Sequence, residues 1–154
     1  FDMLVFAETI RDAIRLVQQK ANEKNIQFVQ QLNEEIIVIG DEEKLKQVFI
    51  NILENAIHYS TDHSSIRVES SIVESYAVLT ITDYGIGIPP EDLPHVTERF
   101  YRVNKARSRS DGGSGLGLSI VEQIVKQHKG KLKIKSILGE GAAVSVMFPL
   151  MEEE

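Results

Sequence analysis

Three stretches of helical periodicity run through this chain, and each is followed by two short stretches that read as β-strands. In the first, Phe6, Ile10, Ala13, Ile14, Val17 and Ala21 recur at helical spacing with charged and amide residues between them, which predicts an amphipathic helix over about Val5 to Glu23. In the second, Asp41 supplies an N-cap after Gly40. Leu45, Val48, Phe49, Ile52, Leu53, Ala56 and Ile57 then carry the pattern to about Tyr59. In the third, Leu116, Ile120, Val121, Ile124 and Val125 mark a helix ending near His128, with Gly130 as its stop. The β-rich pairs cover 27–32 and 36–39, 66–73 and 76–82, and 132–137 and 143–148. Asn33-Glu34-Glu35 and Glu74-Ser75 read as the turns of two hairpins. An apolar helix stripe must be covered. The order of elements therefore predicts three helices on one face of a mixed, mostly antiparallel sheet, a two-layer α/β sandwich.

Length and composition narrow the class. With 154 residues, the chain suits a single domain spanning 1–154, long enough to bury one sizeable core. A net charge of -6 argues against a surface broadly adapted to nucleic acid, and the absence of cysteine excludes disulfides, thiolate metal sites and a cysteine nucleophile. No apolar run approaches the roughly 18 residues of a membrane span, and Phe1 to Phe6 is neither basic nor long enough for a signal peptide, so the expectation is a cytoplasmic domain without membrane contact of its own. Starting on Phe1 rather than Met, it reads as a piece of a longer protein, one that can carry a membrane anchor elsewhere.

Four features carry chemistry. On the second helix, Asn51, Asn55 and His58 fall within an arc of about 60°, beside the apolar face and next to Tyr59. A carboxamide oxygen is a hard ligand suited to Mg²⁺, which makes Asn55 a candidate ligand, although such a stripe is also what a solvated helix edge looks like. Next, Asp83-Tyr84-Gly85-Ile86-Gly87-Ile88-Pro89 places an acid at a strand end before two glycines. An ionised carboxylate only accepts hydrogen bonds, so in an apolar pocket it selects a ring with an exocyclic amino group such as adenine; the alternative is a plain Asp-Gly turn. Third, Gly112-Gly113-Ser114-Gly115-Leu116-Gly117-Leu118 opens the third helix, where backbone N–H groups and the helix dipole favour a phosphate. It lacks the Gly-Lys-Ser/Thr of a P-loop and the spacing of the dinucleotide fingerprint, and a hinge is the bland alternative. Finally, the long stretch from Tyr84 to Ser114 holds three of the four prolines and the basic residues Arg99, Arg102, Lys105, Arg107 and Arg109. That local reversal of charge suits a triphosphate, with Arg102 and Arg107 the preferred contacts and Lys105 behind them.

In this order the segments resemble the motifs of histidine kinase catalytic domains, in the superfamily shared with DNA gyrase, Hsp90 and MutL. Asp41 to Tyr59 resembles the N box, DYGIGIP the G1 box, Glu98 to Arg102 the F box, GGSGLGL the G2 box, and Gly139-Glu140-Gly141 the short final glycine motif. The resemblance implies a Bergerat-type sandwich that binds ATP and Mg²⁺ and donates the γ-phosphate to a histidine. That acceptor would lie on a separate helical hairpin of the same, dimeric kinase, with a response regulator downstream. It implies that Asn51 and Asn55 serve Mg²⁺ and the phosphates, that Asp83 recognises adenine, and that about 84–114 forms a lid over the nucleotide. It extends the nucleotide site to His58, Tyr59, Gly85, Gly87, Lys105, Gly113, Gly115, Leu116, Gly117 and Leu118, and the catalytic set to Asn51, Asn55, Arg102 and Arg107. Two positions depart from the pattern. His58 stands where the family commonly has a phosphate-reaching Lys, and Ala142 where a Thr is frequent. The gyrase-like and Hsp90-like ATPases resemble one another in a general-base Glu where this chain has Asn51, and a carboxamide cannot take a proton from water in that way.

Overall fold

Residues 1–87, 90–92, 94 and 117–151 are described by a computed structural model. Among these residues the helices are α1 (Phe6–Glu23), α2 (Glu42–Tyr59) and α3 (Gly117–Gln127). The strands are β1 (Asp2–Val5), β2 (Gln27–Gln31), β3 (Ile37–Gly40), β4 (Ser65–Val73), β5 (Tyr76–Asp83), β6 (Lys131–Ile137) and β7 (Gly141–Pro149). A five-stranded sheet runs β2-β4-β5-β7-β6, with β2 and β4 parallel and the other neighbours antiparallel. The three helices cover one face of it, so the expected two-layer α/β sandwich is the fold.

Each helix forms for the reason its periodicity suggests. Asp41 caps α2, its Oδ1 accepting from the Lys44 N–H at 3.1 Å. Val5 offers no side-chain cap to α1, and the Phe6 N–H donates instead to the Ile36 carbonyl at 3.0 Å. The apolar stripes of α1 and α2 are almost wholly buried, from Ile10, Ala13 and Val17 to Val48, Phe49 and Leu53. Phe6, Phe49 and Phe148 meet edge to face at the centre, with ring centroids 5.6–6.4 Å apart. At the end of α3 the left-handed position is taken by Lys129 (φ 58°) rather than by Gly130.

The hairpin expected from 27–32 and 36–39 does not form. β2 pairs with β4 in parallel, and β3 pairs with β1, a strand absent from the sequence expectation, in a separate two-stranded sheet. The turn region is held by contacts outside its own sequence. Besides the Phe6 bond to Ile36, Arg11 grips Glu34 through two N–H donors at 2.5 and 2.9 Å, and the Asn33 N–H donates to Ser70 Oγ at 2.8 Å. Together these turn the chain after β2 toward α1 and away from a return along β2.

Candidate nucleotide site

Along β5 the side chains alternate, and Ala77, Leu79 and Ile81 point into the core. Asp83 continues that same face. A carboxylate therefore closes an apolar stripe, only 6% exposed. Its Oδ1 accepts from the Gly85 N–H at 3.0 Å, and the N–H of Ala142, its register partner on β7, also bonds it. Burial holds the carboxyl above its ordinary pKa, and the two backbone donors draw it part of the way back.

The turn after Asp83 depends on its glycines. A side chain on Gly85 would place its Cβ 1.8 Å from the Tyr59 carbonyl oxygen, and one on Gly87 (φ 73°) would meet the Ile137 carbonyl at 2.4 Å. Between them the Ile86 N–H donates to the Tyr59 carbonyl at 3.3 Å, and the Ile86 carbonyl accepts from Gly139 N–H at 2.8 Å. The segment is thus threaded between the end of α2 and the β6–β7 turn.

Above Asp83 lies a largely apolar slot. Ile52, Asn55, Ala56 and Tyr59 of α2, Ile81 and Asp83 of β5, Gly87, Leu118 of α3, and Ala142 and Val144 of β7 line it. Asn51 reaches across to α3, its Nδ2 donating to the Gly117 carbonyl at 3.3 Å while its Oδ1 accepts from Gln47 at 2.9 Å. Asn55 faces the same helix start, with its side-chain atoms 3.9 Å from where a Cβ on Gly117 would lie. His58 meets Tyr59 edge-on, the ring centroids 4.8 Å apart, on the exit side of α2.

The structure thus brings Asn55, Tyr59, Asp83, Gly87 and Leu118 into one recess, with Asn51, Gly85 and Gly117 bordering it and His58 at the end of α2. Arg102, Lys105, Arg107, Gly113, Gly115 and Leu116, and most of the expected lid, lie outside the described residues. Sequence reasoning passed over Ile52, Ala56, Ile81 and Val144 as lining. The signal for them was present: Ile52 and Ala56 directly follow the two asparagines, and Ile81 precedes Asp83 by one strand repeat. Ala142, noted only as a missing Thr, contributes its backbone N–H.

The chemistry of this recess is that of a flat apolar ring bearing a hydrogen-bond donor, next to a helix N-terminus that favours an anion. Comparisons with known proteins give the family. Residues 40–152 match the family described as Histidine kinase-, DNA gyrase B-, and HSP90-like ATPase. Sensor histidine kinase YkoH of Bacillus subtilis is 44% identical over 115 residues, 75% of this chain and 25% of that protein. Sensor histidine kinase RppB of Synechocystis is 40% identical over 116 residues, 75% of this chain and 26% of that one. The mycobacterial sensor histidine kinase MprB superposes with a TM-score of 0.85 at 30% identity, covering 97% of both chains. The catalytic domain of histidine kinase ThkA gives 0.84 at 27% identity, covering 97% of this chain and 95% of that one. The chain belongs to the histidine kinase-, DNA gyrase B- and HSP90-like ATPases, as an ATPase domain of the sensor histidine kinase type. It spans about a quarter of the length of these curated relatives.

Proposed function

We propose that this domain holds ATP with Mg²⁺ and donates the γ-phosphate to a histidine on a separate helical hairpin of a dimeric two-component kinase, which then passes it to a response regulator. The observation that carries the reading is Asp83, a buried carboxylate at the foot of an apolar slot. Its backbone donors leave acceptor capacity for one more hydrogen bond, and adenine offers an exocyclic amino group where guanine offers a carbonyl. The remaining roles follow from position. The Asn55 carboxamide and the start of α3 adjoin the slot where the phosphates of a seated nucleotide would emerge, so Asn51 and Asn55 are assigned to phosphate and metal. His58 and Tyr59 border the same exit, and Arg102, Lys105 and Arg107 are assigned to the phosphates on sequence alone.

The described residues contain no group of three or more His, Cys, Asp or Glu able to hold a metal. Mg²⁺ needs none when phosphates and one or two protein oxygens supply its ligands, and the Asn51 and Asn55 carboxamides fit that donor set. Bound there, the ion would neutralise phosphate charge. The protein's own part is positioning: the slot and Asp83 orient the base, and the N-terminus of α3 favours the anion, leaving the γ-phosphorus in line with an outside imidazole. The β–γ phosphoanhydride bond then breaks as a P–N bond forms, and ADP leaves. No helix among the described residues is long and apolar enough to cross a membrane, and a cytoplasmic place for the domain accords with an ATP donor.

Calorimetry of ATP and GTP, each with Mg²⁺ or a chelator, tests this reading. ATP should bind well above GTP, with its affinity falling on chelation and that loss blunted in Asn55→Ala. Equal affinities for the two nucleotides would remove Asp83 from adenine recognition, and indifference to chelator would remove the metal.

A further inference from the structure

A helix leaves its last carbonyls without partners inside the helix, and at the end of α2 those groups belong to a part of the chain that carries the nucleotide site. The Nζ of Lys24, at the C-cap of α1, donates to the carbonyls of Ile57 and His58 at 3.0 Å each and to that of Ser60 at 2.9 Å. An ammonium has three N–H donors, so all are engaged. The carbonyl it passes over, Tyr59, is the one that accepts from the Ile86 N–H and against which Gly85 packs. The backbone of Lys24 joins in, its carbonyl accepting from the His63 N–H at 2.9 Å, so the loop leaving α2 is tied to the same residue. A cation at the negative end of a helix, bonded to three carbonyls and half-buried, is a stronger restraint than a solvated surface lysine.

We infer that Lys24 is a positioning residue for the nucleotide site. By taking the carbonyls on either side of Tyr59 it orients the last turn of α2, which directs the Tyr59 carbonyl at Ile86 and holds Asp83–Gly87 beneath the slot. Lys24 does not line the slot itself. The inference deepens the ATP-binding reading and rests on it for its functional consequence.

Lys24→Met keeps the alkyl stem and removes the donors. Amide hydrogen exchange on the full chain, without nucleotide, should show Ile86 exchanging about ten-fold faster, while Leu79 in the middle of β5 keeps its wild-type rate. ATP affinity should fall by about ten-fold, the scale of one hydrogen bond to a charged group. Equal acceleration at Leu79 and Ile86 would make Lys24 a global stabiliser and overturn the inference. So would faster exchange at Ile86 with unchanged ATP affinity. A wild-type chain that binds no ATP would instead fail the ATP reading, and the ratio of exchange at Ile86 to that at Leu79 would still decide whether Lys24 holds the segment.

Discussion

Asp83 combines two requirements that oppose each other. Burial raises its carboxyl pKa, so the folded state holds the proton to higher pH than the unfolded chain does. Stability from this group is therefore greatest at and below the unfolded pKa and declines as pH rises through the folded one. Asp83→Asn should remove that decline, which thermal melts of both proteins from acidic to neutral pH would show as a smaller loss of stability in the variant. The same substitution puts an amide donor where an acceptor is needed, and ATP affinity should fall roughly ten- to a hundred-fold, the worth of a hydrogen bond to a charged group. Two glycines separate packing from ligand approach at the same scale. Gly85→Ala drives a Cβ into the Tyr59 carbonyl and should destabilise the domain severely, whereas a Cβ on Gly117 meets, among the described residues, nothing closer than Asn55 at 3.9 Å. Gly117→Ala should leave stability unchanged or raise it by up to about 1 kcal/mol from helix propensity, read as an equal or higher melting temperature, while weakening ATP through crowding of the helix start. A loss of both stability and affinity in Gly117→Ala would return that glycine to a structural role.

Between elements, the connections that matter are those no local pattern announces. His128 is 6% exposed at the end of α3. Its Nε2 accepts from the Asp41 N–H at 3.1 Å and its Nδ1 donates to the Ile124 carbonyl at 2.9 Å, so one imidazole joins the close of α3 to the cap of α2. Phe1 stacks on the ring, 4.5 Å away and 8° from parallel. His128→Leu removes the acceptor and should cost about 1–3 kcal/mol by leaving the Asp41 N–H without its partner. Urea denaturation would measure it, and a cost below that range would mean that water replaces the imidazole. Element boundaries were legible where turn and periodicity agree within a few residues: β4 and β5 meet around Glu74-Ser75. The β2–β3 hairpin was misread because its turn residues belong to other partners. Arg11, Phe6 and Ser70 hold 33–36 in place, and the parallel partner of β2 lies beyond the whole of α2.

The molecule as a whole holds the candidate nucleotide slot and four histidines, at positions 58, 63, 95 and 128, none followed directly by Asp or Glu, the neighbour that the resemblance to histidine kinases implies for a phosphoacceptor. His128 is buried and bonded on both nitrogens, and His58 adjoins the slot on α2. In the proposed mechanism positioning is the main device, and an absent nucleophile is then not replaced by tighter binding of the donor. The isolated chain should therefore bind ATP without labelling itself on histidine, and fusion of a histidine-bearing helical hairpin upstream of Phe1 should restore transfer. Acid-labile, alkali-stable phosphate on the chain alone, at the rate of the fusion, would contradict this.

What the sequence determined by itself was local: three amphipathic helices, one of the two hairpins it suggested, the Asp41 cap, and the order of the motifs from Asn51 to Gly117. Periodicity, capping and turn chemistry act over a few residues, and the side chains that bear chemistry announce themselves by type. Tertiary structure decided which strands pair, which apolar side chains close over Asp83, and why Gly85 cannot be any other residue. It also decided that Lys24, an ordinary lysine at a helix end when read in sequence, meets the carbonyls of residues 33 to 36 positions away. Those facts depend on backbone groups brought together across the fold, and the donors and acceptors of a backbone are the same at every residue but proline. No pattern of side chains encodes which of them will meet.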